Sequence, residues 1–341
     1  MNVLSHGHSI SVHEESQVGE ARREASSLAT RLGFEQAAGG RVAIAVSEAA
    51  RNLYLHGGGG EVVVSGLQWR NESCVEILAM DRGPGMQDID KCMRDGYSTA
   101  GTPGTGLGAI ARLADEFDLY SVPGKGTVLM ARFLAKTTPG SRAEQQLEVS
   151  ATCVAHPGEE LCGDAWTHIP SANGDTLVVL DGLGHGEYAE QAAQEGLRIF
   201  RQYVNRTPTE ILERMHAAMR GTRGAAVALT RIDLNQRCVV FAGIGNISAA
   251  IVSNGSSRNM VSLNGIVGHE MRKVREFEYP WSEDALLVMH SDGLGTKWDL
   301  GAYTGLSRRA PGVIAAVLYR DFSRRRDDVT VLVAREKQGQ Q

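Results

Sequence analysis

The feature that most constrains this 341-residue chain is a break in its pattern. Residues 136–146 read KTTPGSRAEQQ, polar throughout, with a Pro-Gly step and no apolar period, which marks a linker rather than a helix or strand. Each flanking stretch is long enough to bury its own core. The expected organisation is therefore a first domain over 1–135, a linker over 136–146 and a second domain over 147–341. Apolar residues make up 42% of the chain and charged residues 22%, so both halves have the material for a packed interior and little is left for long disorder.

The two halves differ in period. In the first, Val18, Ala21, Ala25, Leu28 and Leu32 recur at spacings of three and four, predicting a helix from Glu14 to Leu32. A second helix is expected from Arg41 to His56, ended by the glycine run 57–60. Residues Glu61–Leu67 and Cys74–Met80 read as an antiparallel hairpin that delivers Asp81 at its end. A glycine-rich loop between Gly96 and Gly108, a helix over Leu107–Phe117 and a strand over Thr127–Leu134 complete an α+β sandwich. The second half reads as many strands with few helices. The strands are expected at 147–155, 165–169, 176–180, 225–232, 238–242, 247–253, 285–290 and 329–334, and the helices at 187–204, 208–220 and 311–322. That proportion suits two packed sheets flanked by helices.

Chemistry in the first half must do without a Walker loop, because no GxxxxGK[ST] is present. Glu48 and Asn52 lie four apart, which projects a carboxylate and a carboxamide from one helical face. One could accept a hydroxyl proton and the other hold a phosphate-bound magnesium ion, although a solvated Glu-Asn pair has the same spacing. Asp81-Arg82-Gly83-Pro84-Gly85-Met86 places an acceptor at a strand end beside glycines that let backbone approach a flat base, or is simply a turn. Gly104-Thr105-Gly106-Leu107-Gly108 opens a helix and offers free N–H groups to phosphates.

These three elements, in this order, form the signature set of the GHKL ATPases. SEAARNLYLHGGGG, DRGPGM, GTGLGAIARLADEF and Gly124-Lys125-Gly126-Thr127 closely resemble the RsbT-type switch kinases, over roughly residues 10 to 135. The resemblance implies a GHKL (Bergerat) ATP-binding sandwich that uses ATP and Mg²⁺. Glu48 would be the catalytic base, Asn52 the magnesium ligand and Asp81 the adenine anchor, with Gly83, Gly85 and Thr127 around the nucleotide and Gly104, Gly106 and Gly108 as phosphate loop. Gly59 stands where relatives can carry a lysine.

In the second half, Asp164 (CGDAW), Asp181 (DGLGHG), Asp292 (SDGLG) and Asp327 (RRRDDVTVLV) all fall at strand ends or turns. Asp-Gly-Leu-Gly occurs twice, at 181–184 and 292–295, each time after an apolar strand. Each is singly an ordinary Asp-Gly turn. Together, carboxylates without histidine or thiolate partners repel unless hard cations neutralise them, and oxygen-only sites favour Mg²⁺ or Mn²⁺. Two such ions can activate a shared water against a phosphate monoester.

This half is similar to the PPM-type phosphatases, in particular the SpoIIE and RsbX branch, through CGDAW, DGLGHG, RGAAVALTRID, FAGIGN, SDGLG and RRDDVTVLV, over roughly residues 147 to 335. The resemblance implies a PPM-type αββα sandwich with two Mn²⁺ or Mg²⁺ ions. Asp181 would bridge them, the Gly182 carbonyl would add a ligand, Asp292 and Asp327 would sit on the other ion, and Asp164 would support through water, with Asp328 beside them. His185 is a candidate proton donor to the leaving serine or a structural histidine. Arg324, Arg325 and Arg326 read as a solvated charge run or a phosphopeptide-steering one.

The expected function is thus a bifunctional protein-serine/threonine kinase and metal-dependent phosphatase acting in trans on STAS-domain antagonists in a partner-switching stress or sigma-factor cascade. The alternative is a phosphatase alone, with the first half a nucleotide-dependent, anti-sigma-like partner-binding module; a scaffold with neither activity is disfavoured because all the acidic positions are kept. The net charge of −5 gives no basic field for nucleic acid or anionic lipid. No run approaches the length needed to span a bilayer, and the five cysteines form no CxxC pair. A cytoplasmic protein with reduced thiols is expected, and a homodimer through the helix of residues 14–32 is left open.

Overall fold

In the computed structural model, the described residues are 2–94, 106–136, 146–171 and 174–337. They divide into two compact units. The N-terminal unit contains Val3–Arg142 together with Arg308–Arg320, and the C-terminal unit contains Met1–Asn2, Ala143–Ser307 and Asp321–Gln341.

The N-terminal unit runs β1 (Asn2–Val12), α1 (Glu15–Arg31), α2 (Gln36–Leu55), β2 (Gly60–Trp69), β3 (Glu72–Met80), the short α3 (Ile89–Cys92), α4 (Gly106–Leu113), β4 (Glu116–Ser121) and β5 (Thr127–Leu134). Its strands lie in the order β1-β2-β3-β5-β4. Ala21, Ala25 and Leu28 of α1 and Val42, Val46, Ala49 and Leu53 of α2 face the sheet in one apolar core with Val62, Val64, Ile77, Leu129 and Phe133. These are the residues that the three-four spacing picks out, because only a face of that period can be buried by a helix lying on a sheet. The expected helix over 107–117 ends early, at Leu113, and Glu116 begins a strand. Asp115 explains the break: its Oδ2 accepts from Leu134 N at 2.8 Å and ion-pairs with Arg41 Nη1 at 3.4 Å, and its own N donates to Arg132 O.

Register places a charge triad inside this sheet. Arg132 of β5 pairs with Glu76 of β3 on one side and Glu116 of β4 on the other. Its guanidinium bonds Glu76 Oε2 at 2.7 Å and Glu116 Oε2 at 2.8 Å, and Glu76 is fully buried. Burial opposes the charge on Arg132, but the two carboxylates outweigh it and hold the proton more tightly than usual.

The C-terminal unit runs β6 (Leu147–Val154), β7 (Asp164–Ser171), β8 (Gly174–Gly182), α5 (Glu187–Tyr203), α6 (Pro208–Ala218), β9 (Ala225–Asp233), β10 (Cys238–Ile244), β11 (Ser248–Ser253), β12 (Ser256–Asn259), β13 (Ser262–Leu263), β14 (Phe277–Pro280), β15 (Leu286–His290), α7 (Pro311–Phe322) and β16 (Val329–Glu336). One run of strands is β12-β11-β15-β16-β6, the other β7-β8-β9-β10 with β13 and β14 along β10. α5 and α6 cover the second run through Leu197, Phe200, Ile211, Leu212 and Met215. Two strand runs with helices on the second form the α/β layers expected from the resemblance to an αββα sandwich, while the remaining long helix, α7, falls mostly in the other unit.

One segment departs from the expected boundaries. Residues 308–320, most of α7, cluster with the N-terminal unit although Asp292 and Asp327 flank them in sequence. α7 is apolar along nearly its whole length and buried from Pro311 to Arg320, so no face of it marks which unit it serves. Within the N-terminal unit, Tyr319 Oη donates to Glu61 Oε1 at 2.6 Å and Ala310 N to Asp118 Oδ2 at 2.6 Å.

Candidate active sites

In the N-terminal unit, Asp81 stands directly after β3, as the hairpin predicts. Its Oδ1 accepts from Gly83 N at 2.8 Å and from Thr127 N at 3.2 Å, and its main-chain N donates to Thr127 O. Burial raises the carboxyl above its ordinary range, while these two amides and the Arg320 charge pull it back down. The backbone around it is tight enough to require glycine: a Cβ on Gly126 (φ +77°) would stand 2.1 Å from Asp81 O. Gly85 (φ +65°) is similarly confined, with Val122 O 2.1 Å from its would-be Cβ.

Glu48 and Asn52 sit on α2, and the start of α4 comes up against both. A Cβ built on Gly106 would lie 3.1 Å from Glu48 Oε2 and 3.4 Å from Asn52 Oδ1. Asn52 Nδ2 is buried without a hydrogen-bond partner among the described residues, an uncommon state for a carboxamide. Glu48 pairs loosely with Arg51 at 3.7 Å. The structure thus brings Glu48, Asn52 and Gly106 together at the opening of α4, with Gly108 buried in the same helix. Gly104 lies outside the described residues. At Gly59 (φ +100°) a Cβ would fall 2.2 Å from His13 Nδ1, so a lysine there would require the imidazole to move.

In the C-terminal unit, the antiparallel register of β7 and β8 sets Asp164 directly opposite Asp181. Asp292 follows β15, and Asp327 and Asp328 immediately precede β16, which pairs with β15. Asp181 is pushed up to about 8, first by burial and then by the charges of Asp292, Asp327 and Asp328. Asp164 is raised well above the carboxylate range by burial and by Asp181. Asp292 and Asp328 are raised too, burial being the largest cause for each. Asp164 faces Asp181 across the β7–β8 pair and the charges of Asp292, Asp327 and Asp328 all act on Asp181, but among the described residues no three of these carboxylates bring oxygens within 4.8 Å of one another.

Several supports escaped that reading. Ser291 Oγ donates to Asp164 Oδ2 at 2.6 Å, Asn246 Nδ2 donates to Asp292 Oδ2 at 2.6 Å, and His156 N donates to Asp328 Oδ1 at 2.8 Å. Ser291 and Asn246 stand within SDGLG and FAGIGN, so the motifs contained them without assigning them work. Gly182 N donates to Gly163 O, and a Cβ on Gly182 would lie 2.2 Å from Ala189 O, which only glycine allows. His185 Nδ1 is 2.7 Å from Glu159 Oε1, and its ring stacks on His156 at 4.5 Å. Arg324–Arg326 are exposed. Arg324 is near enough to Asp292 for its charge to favour the carboxylate form. In the other unit, Arg320 also escaped notice: its Nη1 donates to Asp81 O at 2.9 Å.

The donors fit hard cations. All are oxygens and partly desolvated, and Asp164 Oδ1 is buried with no hydrogen-bond partner among the described residues. The N-terminal site fits a nucleotide on a different ground: the orphaned Asn52 Nδ2 beside the α4 opening is a donor that a phosphate oxygen would satisfy, which leaves Oδ1 for an ion.

Comparison with known proteins divides the chain in the same way. Residues 11–133 match the family model described as "Histidine kinase-like ATPase domain", and residues 172–337 match "Stage II sporulation protein E (SpoIIE)". The serine/threonine-protein kinase RsbT of Bacillus subtilis is 43% identical over 33% of this chain and 84% of its own length. The phosphoserine phosphatase RsbX of the same organism is 25% identical over 40% of this chain and 69% of its own. A solved structure described as "The bacterial stressosome: a modular system that has been adapted to control secondary messenger signaling" superposes with a TM-score of 0.53 at 31% identity, covering 56% of this chain and all of that one. No helix among the described residues is long and apolar enough to cross a membrane. The chain belongs to the RsbT serine/threonine-protein kinase family through its first half, fused to a SpoIIE-type domain related to RsbX.

Proposed function

We propose that this chain phosphorylates and dephosphorylates a partner protein on serine or threonine, the first half writing the phosphate and the second removing it within a partner-switching cascade. One observation carries the reading: the two halves hold chemically different constellations, a base and carboxamide beside a glycine-opened helix in one unit and at least four carboxylates in the other.

For the first activity, ATP supplies the phosphoryl group when bound. Asp81 is placed to accept the adenine amino proton through Oδ2, since both backbone donors use Oδ1. Gly83, Gly85 and Thr127 surround that anchor. The first turn of α4, with Gly106 and Gly108, would offer N–H groups to the phosphates, and Gly104, assigned to the same loop, lies outside the described residues. Asn52 would hold Mg²⁺ through Oδ1, and Glu48 would accept the proton of the partner's hydroxyl.

For the second activity, two Mg²⁺ or Mn²⁺ ions would supply a hydroxide at neutral pH. Asp181, the Gly182 carbonyl, Asp292 and Asp327 would hold them, with Asp164 in support. Ser291 and Asn246 fix two of these carboxylates. His185, held by Glu159, is positioned to return a proton to the leaving serine oxygen.

The resemblance of the first half to the switch kinases makes a STAS-domain protein the proposed substrate in trans. The test is a mixture of chain, ATP, Mn²⁺ and a STAS partner, with phosphopartner followed by phosphate-affinity gel. Wild type should hold a low steady phosphate level while consuming ATP, Asp292→Asn should raise that level, and Glu48→Ala should abolish it while still binding ATP. A Glu48→Ala protein that phosphorylates normally would defeat the kinase assignment. ATP binding without phosphorylation in Asp292→Asn would leave a phosphatase joined to a nucleotide-dependent binding module.

A further inference from the structure

The carboxylates would hold ions and make a nucleophile, but none of the groups assigned so far orients the phosphate on which that nucleophile must act. Arg324 supplies a charge near Asp292, and a second cation borders the loop that follows Asp181. The register of β8 and β9 points to where it stands. Asp181 pairs with Ala226 and Gly182 with Ala225, so the turn just before β9 lies alongside the loop that follows the bridging aspartate. Leu183 N donates to Gly224 O at 3.0 Å and ties the two together.

Arg223 occupies that turn. A Cβ built on Gly184 (φ +86°) would lie 3.0 Å from Arg223 Nη1, so the guanidinium rests against the backbone of the DGLGHG loop. Its Cζ sits 4.9 Å from the ring centroid of Tyr188, in the first turn of α5. Such a cation–π contact orients a guanidinium without using up its N–H donors. Arg223 has no carboxylate partner among the described residues and is exposed, as is Tyr188 at 59%. By contrast Arg132, Arg198, Arg237 and Arg335 are all in salt bridges. The turn itself is fixed rather than loose: Thr222 Oγ1 donates to Met219 O at 2.8 Å, Gly224 N donates to Thr222 Oγ1 at 3.0 Å, and Ala225 pairs with Val267.

We infer that Arg223 is a substrate-binding residue of the second site, whose guanidinium grips the phosphate of the phosphoserine or phosphothreonine while Tyr188 holds its plane. This rests on the phosphatase reading above. A planar fork with two parallel donors matches two phosphate oxygens, which a lysine's point charge cannot do. Its place beside Gly184 would let it hold the monoester against the ion-bearing carboxylates.

The test uses the full chain loaded with Mn²⁺, as wild type, Arg223→Ala and Arg223→Lys. Two probes are applied: binding of inorganic phosphate by calorimetry and hydrolysis of p-nitrophenyl phosphate. Arg223→Ala should weaken phosphate binding and raise KM by about tenfold to a hundredfold, the range for a charge-assisted hydrogen bond, with a smaller change in kcat. Mn²⁺ affinity and the thermal unfolding profile should stay at wild-type values, which a merely structural role would not predict. Arg223→Lys should recover part of the loss. Equal phosphate affinity and equal KM in wild type and Arg223→Ala would overturn the inference, as would a Mn²⁺-loaded wild type that binds no phosphate. Loss of phosphate binding in Arg223→Ala supports it even if the wild type hydrolyses nothing, a result that would count against the phosphatase reading alone.

Discussion

Removing the metal ions should make the C-terminal unit lose stability as pH rises, the reverse of what a salt-bridged carboxylate gives. Asp181 carries the effect. Its carboxyl is displaced from 3.8 to about 8 by burial and by Asp292, Asp327 and Asp328. Between those two values the native state keeps a proton that the unfolded chain has released, so stability falls with pH across the window and levels off above about 8. Each pH unit corresponds to about 1.36 kcal/mol, so the whole displacement is worth at most about 5 to 6 kcal/mol. Between pH 6 and pH 8 the loss should approach about 2.5 kcal/mol, or roughly 5–10 °C in the melting temperature of a unit this size.

The measurement is thermal unfolding in EDTA across that pH range for wild type and Asp181→Asn. The variant cannot titrate at 181, so its melting temperature should decline less, and it should be the more stable protein at pH 8 without metal. Adding Mn²⁺ should restore the wild type far more than the variant, because the ions bind the deprotonated carboxylates and turn their repulsion into coordination. Parallel pH profiles for the two chelated proteins would refute the reasoning. So would a chelated wild type that gains stability toward pH 8, since other titrating groups are common to both.

Three further outcomes follow from the N-terminal unit. Asp81→Asn should weaken ATP binding by about 1.5–3 kcal/mol, the range for a hydrogen bond to a charged group, read by calorimetry; unchanged affinity would remove the adenine assignment. Arg320→Ala should lower ATP affinity by about 1 kcal/mol, because it deletes the donor to Asp81 O and the charge that favours the ionised carboxyl; titration with labelled ATP showing no change would refute this. Arg132→Ala should destabilise the unit by about 3–5 kcal/mol in urea unfolding, since it leaves Glu76 charged, buried and unpaired, and a loss under 1 kcal/mol would mean that Glu76 takes up a proton at little cost.

How much of the fold was legible depended on whether an element's period matched its burial. α1, α2 and α5 present one apolar stripe to one sheet, and their bounds fall within a few residues of the expected ones. β1 was missed because Asn2–Val12 contains two histidines, a glycine and three serines, a composition with no alternation strong enough to read as a strand. β4 was missed because Glu116-Phe117 continues the helical spacing of α4, and only the contacts of Asp115 with Leu134 and Arg41 show why the chain turns there. β12 is exposed and leaves no apolar signal, and the half-buried β13 and alternating β14 are two and four residues long, too short to establish a period. α7 was legible as a helix, but which unit it joins was not, because a helix that is apolar all round points nowhere in particular.

The sites were legible to the extent that their chemistry rides on the element that carries it. Asp81, Asp181 and Asp292 each follow an apolar strand, so the sequence shows both the residue and the sheet edge that aims it. Glu48 and Asn52 share a helical face by spacing alone. What stayed hidden was every group supplied across the fold. Ser291 reaches Asp164 from 127 residues away, Arg320 reaches Asp81 from 239, and Asn246 reaches Asp292 from 46. No local pattern encodes such pairs, since only the folded register brings them within hydrogen-bond distance. Arg223 shows the same limit most clearly. In the sequence it opens the RGAAVALTRID motif three residues after Arg220, and nothing local gives it a role. Only the β8–β9 register, which draws that turn against the DGLGHG loop, separates a cation with work to do from a solvated one.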